Sequence, residues 1–119
     1  ADWLAASGAR PFGIPFDASD ELLDLVATGA SAVLLTGGDL VLEANTTYYQ
    51  TARRLLDRVI NANRAGRVMP LLGICQGSQL LASLVHGSTG ILATAAFRTG
   101  GGLPLAFTPE AAHSELVTL

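Results

Sequence analysis

Short apolar runs alternate with helically spaced apolar positions along this chain, the pattern of strands covered by amphipathic helices. Ala32-Val33-Leu34-Leu35-Thr36 is a continuous aliphatic run ending in Gly37-Gly38-Asp39, which suits a strand buried on both faces. A second run leads from Val68 through Leu71-Leu72 to Ile74. Between them Tyr48, Ala52, Leu55, Leu56, Val59, Ile60 and Asn63 trace one broad helical face, and Gly66 stands where that helix stops. Leu22, Leu23, Leu25 and Val26 form a shorter apolar side that Ser19 or Asp17 can cap and Gly29 can end. The pattern predicts strands near 10–15, 32–36 and 68–74 and helices near 19–28, 47–65 and 76–86. Residues 2–9 read as the last two turns of a helix closed by Gly8, and Pro11 and Pro15 confine the 10–15 strand to an edge. Beyond His86 and Gly87, residues 88–96 are β-like and 98–102 form a glycine-rich loop. Residues 103–107 suit a short edge strand, and Thr108 can cap a helix with Pro109 first.

Composition narrows the class. Half of the 119 residues are hydrophobic and 14% are charged, a balance for a packed domain rather than a disordered chain. The net charge of -3, with seven scattered arginines, leaves no footprint for a nucleic acid or a polybasic membrane patch. No apolar run is long enough for a membrane span, and the N-terminal residues lack a signal-peptide layout. One cysteine and two histidines exclude an internal disulfide and argue against a structural zinc site.

The chemistry concentrates where the second apolar run meets the next helix, at Gly73-Ile74-Cys75-Gln76-Gly77. Glycines two residues either side of a nucleophile let a strand and a helix pass close together while the nucleophile stands in a strained turn. The helix beginning after Cys75 points its positive end at the sulfur, which favours the thiolate. Against a cysteine nucleophile stands the plainer reading of Cys75 as a small buried hydrophobe. Gly37 and Gly38, at the carboxyl end of a central strand, are either oxyanion-hole donors or a plain tight turn. Tyr48 or Tyr49 can line a pocket, and Arg53, Arg54, Arg58 and Arg64 read as a solvated helix face.

Three segments in this order resemble a γ-glutamyl hydrolase of the class I glutamine-amidotransferase-like group: Ser31 to Gly38, Leu72 to Leu81, and Leu103-Pro104-Leu105-Ala106-Phe107-Thr108. Trp3 to Arg10 also resembles the stretch after that family's first strand. The resemblance implies a three-layer, flavodoxin-like α/β fold with a mostly parallel sheet and helices on both faces. Here it would be incomplete: a single partial domain over 1–119, lacking the family's first strand and its C-terminal strand with a His-Pro-Glu base. It implies a cysteine hydrolase that cleaves γ-glutamyl bonds of folate poly-γ-glutamates through an acyl-enzyme, needs no cofactor or metal, and resides in a lysosome or vacuole or is secreted. Cys75 would be the nucleophile, and the backbone amides of Gln76 and of Gly37 or Gly38 would hold the oxyanion, with Tyr48 toward substrate.

The base is the departure from that pattern. His86 lies eleven residues past Cys75 on the same predicted helix, roughly 16 Å away, which excludes it. His113, followed by Ser114-Glu115, mimics a His-x-Glu pair but falls on a predicted helix without a flanking proline, so it is a weak candidate. The alternative to an active hydrolase is therefore a catalytically silent, truncated homologue serving as a structural subunit. In both cases a protein partner or a second copy is expected to cover exposed sheet edges.

Overall fold

The computed structural model describes residues 2–92, 104 and 106–114. The elements run α1 (Asp2–Ala6), α2 (Asp20–Gly29), β1 (Val33–Leu35), α3 (Thr47–Arg64), β2 (Leu71–Gly73) and α4 (Gln76–His86), followed by 3-10 turns at Thr89–Ile91 and Pro109–His113. The chain is an α/β protein. β1 and β2 pair in parallel, with Val33 opposite Leu71 and Leu35 opposite Gly73, and α3 forms the crossover between them.

Each helix is bounded by local chemistry that the sequence carries. Ser19 accepts from the Leu22 amide at the start of α2, and Thr46 accepts from the Tyr49 amide at the start of α3. Gly66 and Gly87 turn left-handed, at φ of 85° and 82°, where α3 and α4 end. Gly8 does the same after α1. Gly29, in contrast, is the last residue of α2 itself. That end is closed from outside: Arg67, just after α3, donates to the carbonyls of Ala27 and Ala30.

Val33, Leu35 and Leu71 project from one face of the sheet into two apolar clusters that share Leu35 and Leu71. One cluster gathers Leu23 and Val26 of α2 with Leu55 and Val59 of α3 and Met69. The other joins Tyr49, Ala52 and Leu56 of α3 to Leu80 and Leu84 of α4. Leu23, Met69, Leu80 and Leu84 are essentially without solvent contact, and each such side chain contributes about 1.5–3 kcal/mol. On the opposite face Leu34 is half-buried and Leu72 is 48% exposed.

Several expectations are corrected here. Residues 10–15 form no strand: Pro11 and Pro15 have no amide to donate, and what the segment supplies is the half-buried Ile14 packed on the first cluster. The second strand begins at Leu71 rather than Val68, which is exposed, because Asn63 engages Met69 on both backbone groups. Its Nδ2 donates to the Met69 carbonyl at 2.9 Å and its Oδ1 accepts from the Met69 amide at 3.1 Å. Residues 89–91 form a 3-10 turn rather than β structure. Pro104, Ala106 and Phe107 are outside any strand, while the rest of 103–107, residues 93–96 and the 98–102 loop lie outside the described residues. Thr108 precedes a 3-10 turn at Pro109–His113 rather than an α-helix, and makes no side-chain cap bond to it.

The arginines of α3 are not simply a solvated face. Arg58 Nε donates to Asp24 at 2.6 Å and its Nη2 to Asp20 at 2.8 Å, while Arg54 lies 3.0 Å from Asp20. The Asp24 contact above all, then Asp20, holds the Arg58 guanidinium above its ordinary value. Arg53 donates to the Leu84 carbonyl at 2.6 Å, so α3 is fastened to α2 on one side and α4 on the other. Both aspartates are more than half exposed, which limits the clamp to about 1 kcal/mol. Arg58→Met should lower stability in urea unfolding by about that amount at low ionic strength, with the loss fading near 1 M salt. A loss unaffected by salt would show that Arg58 acts through its stem packing instead.

Candidate active site

Cys75 occupies the single-residue turn between Ile74 and α4, with φ 55° and ψ -121°. It is the one non-glycine residue with positive φ among the described residues, and such a conformation stores about 1–3 kcal/mol. The side chain is exposed. Its carbonyl accepts from the Ser78 amide at 3.0 Å and from the Ser78 hydroxyl at 2.6 Å, closing the first turn of α4 beneath it.

The flanking glycines are required by contact distance. A β-carbon at Gly77 would fall 2.1 Å from the Leu35 carbonyl oxygen, and one at Gly73 would fall 2.5 Å from the Gly77 carbonyl oxygen. Neither gap admits a methyl group, so α4 can start this close to both strands only with glycine at these two positions. The Ile74 amide donates to the Leu35 carbonyl at 2.9 Å, which extends the ladder up to the residue before Cys75.

That register sets what lies across from the sulfur. A β-carbon on Gly37 would sit 3.1 Å from Cys75 Cβ and 3.5 Å from its Sγ, so the backbone after β1 runs alongside the thiol. Gly38 packs against the side-chain amide of Gln76, with a hypothetical β-carbon 3.2 Å from Oε1. Among the described residues, neither the Gly37 nor the Gly38 amide donates a backbone hydrogen bond, and the Gln76 amide stands at the open N-terminus of α4. The four residues singled out from the sequence, Gly37, Gly38, Cys75 and Gln76, are thus brought together at one end of the sheet.

The other candidates separate. Tyr49 belongs to the core, its hydroxyl donating to the Ser83 carbonyl at 3.2 Å, which corrects its reading as a pocket residue. Tyr48 is half-buried against the α3–α4 cluster, and that burial raises its phenol above the ordinary value. His86 ends α4, at the far end from Cys75. His113 is exposed in the 3-10 turn after Thr108, and no hydrogen bond or ion pair among the described residues joins it to Cys75. No trio of His, Cys, Asp or Glu side chains is grouped for a metal among the described residues.

Sequence reasoning missed the side chain of Gln76. It is buried, and its Oε1 accepts from the Leu40 amide at 3.0 Å while its Nε2 donates to the Leu40 carbonyl at 2.7 Å. Only the pairing of a helix position with a loop 36 residues earlier reveals it, and no local pattern encodes that pairing.

A strand, a turn holding an exposed cysteine, and a helix passing over two closely packed glycines meet at this end of the sheet. The chain belongs to the peptidase C26 family, a glutamine-amidotransferase-like family whose model matches residues 1–92. It is similar to gamma-glutamyl hydrolase B of Dictyostelium discoideum, with 29% identity over 115 residues, covering 97% of this chain and 33% of that protein. It is also similar to gamma-glutamyl hydrolase 2 of Arabidopsis thaliana, with 28% identity over 80 residues, covering 67% of this chain and 22% of that protein. No solved structure gives a significant match. The chain therefore spans about a third or less of the curated relatives it matches.

The glycine contacts generate a paired test. Gly77→Ala should cost several kcal/mol in denaturant unfolding, on the scale of a severe overpacking change, because the obstructing atom is backbone. Gly29→Ala, in open space, should leave stability unchanged or raise it by up to about 1 kcal/mol. Equal effects would mean that the close crossing of α4 and β1 is not a constraint.

Proposed function

We propose that this chain is the nucleophile-bearing part of a γ-glutamyl hydrolase acting on γ-glutamyl peptides such as folate poly-γ-glutamates. The observation that carries the reading is Cys75, exposed at positive φ between β2 and α4, with the Gly37 backbone alongside its sulfur. The Cys75 thiolate attacks the γ-carbonyl carbon, and the carbonyl electron pair moves onto oxygen. The amides of Gln76 and of Gly37 or Gly38 donate to that oxyanion. Collapse expels the amine, which leaves with a proton, and water then hydrolyses the thioester to release the γ-carboxylate and restore the thiol. Tyr48, at the start of α3, is the residue assigned to contact substrate.

The reaction needs a group to hold and return protons at the sulfur. The sequence has two histidines, both described, and neither is paired with Cys75. We assign the base to residues outside 1–119, a reading supported by the chain's match to a third of a longer relative. A second reading, a catalytically silent homologue that serves as a subunit of a larger assembly, is supported by the absence of a histidine paired with Cys75 among the described residues.

With a γ-glutamyl peptide, the purified chain should show no turnover at an enzymatic rate, since missing general acid–base assistance costs about 10²- to 10⁴-fold. A stoichiometric burst absent in Cys75→Ala, followed by steady turnover, would show instead that a base resides within these residues. His113→Ala is then the substitution that identifies it. A chain with no Cys75-dependent chemistry at all would favour the silent subunit.

A further inference from the structure

The loop after β1 has to be held in place for Gly37 and Gly38 to face a reacting carbonyl, and glycines hold nothing by themselves. Leu40, the next hydrophobic residue, is half exposed and does not fasten it; the apolar anchor, Leu42, comes only two residues later. What lies between is the Gln76 side chain. It leaves the first position of α4, immediately beside Cys75, and engages both backbone groups of Leu40 as a neighbouring strand would. Its amide oxygen also backs onto Gly38, where an added β-carbon would sit 3.2 Å from it. Loop and nucleophile are thereby referenced to the same helix start.

We infer that Gln76 is a positioning residue: its side-chain amide clamps the Leu40 backbone and so sets the distance of the Gly37–Gly38 amides from Cys75. This rests on the hydrolase reading above. Its backbone amide and its side chain then serve the same oxyanion in two ways, one as donor and one by placing the second donor. Misplacing a preorganised donor by about an ångström is expected to cost up to roughly 10²-fold in a step that develops an oxyanion, and nothing in a step that does not.

Gln76→Met keeps the side-chain length, the helix and the backbone amide while removing both hydrogen bonds. Two reactions of Cys75 in the full chain separate its effects. In the first, an N-acetyl-γ-glutamyl p-nitrophenyl ester acylates the sulfur: a bond forms to the γ-carbon, an oxyanion develops, and p-nitrophenolate leaves with the bonding pair and needs no proton. In the second, iodoacetamide alkylates the same sulfur by displacement of iodide, with no oxyanion. Gln76→Met should slow acylation by about 10- to 100-fold and leave alkylation within about twofold, with faster hydrogen exchange at the Leu40 amide. Acylation and alkylation falling together would overturn the inference, because Gln76 would then act on the thiol or the fold. An unchanged acylation rate would overturn it as well. If the unsubstituted chain is alkylated at Cys75 but never acylated, the hydrolase reading itself fails and takes this inference with it, an outcome distinct from the other two.

Discussion

The structure depends on how closely α4 passes over the sheet. The Gly77 backbone lies against the Leu35 carbonyl so tightly that a single added carbon would meet it at 2.1 Å, and Gly73 has the same relation to Gly77. With that clearance the chain reverses from strand to helix within one residue, and the residue is Cys75, left at φ 55°. The strain there is tolerable because the surroundings over-determine it: the Ile74 amide is bonded to β1 and the Cys75 carbonyl to the first turn of α4. Loosen the crossing by one methyl and both the thiol's exposure and its distance from the β1 loop change together.

Outside the two short strands, side-chain amides carry the pairing onward. Asn63 engages Met69 before β2 begins, and Gln76 engages Leu40 after β1 ends, each meeting both backbone groups of its partner. These bonds satisfy buried polar groups where the sheet itself stops. The apolar clusters beneath, joined through Leu35 and Leu71, bind α2, α3 and α4 to one face, and the arginines of α3 tie the helices to one another. The site thus sits at the end of the sheet where helix start, strand end and glycine loop converge, as expected for ligand sites in open α/β folds.

Much of this was legible in the residues because it is local. The 3.6-residue period placed α2, α3 and α4 within a residue or so of their observed bounds, and Gly73 and Gly77 flanking Cys75 marked the turn. What was not legible is decided by tertiary partners. Val68 continues an apolar run yet is exposed, since Asn63 holds Met69 out of the ladder. Ile14 lies in a β-like stretch that packs without pairing. Arg54 and Arg58 have the spacing of a solvated face but find Asp20 and Asp24 on another helix. Tyr49 looks no different from Tyr48 in the sequence, and only the Ser83 carbonyl assigns it to the core. The clamp of Gln76 on Leu40 belongs to the same class.

The central claim is that Cys75 and the amides of Gln76 and of Gly37 or Gly38 form one oxyanion-binding site. A γ-glutamyl aldehyde tests it directly, since its hemithioacetal with the cysteine places an oxygen where the reacting oxyanion would be. Amide NMR of the labelled chain should show a Cys75-dependent adduct with the largest downfield shifts at Gln76 and at Gly37 or Gly38. An adduct on Cys75 that leaves all three amides undisturbed, or no adduct at all, would contradict the account.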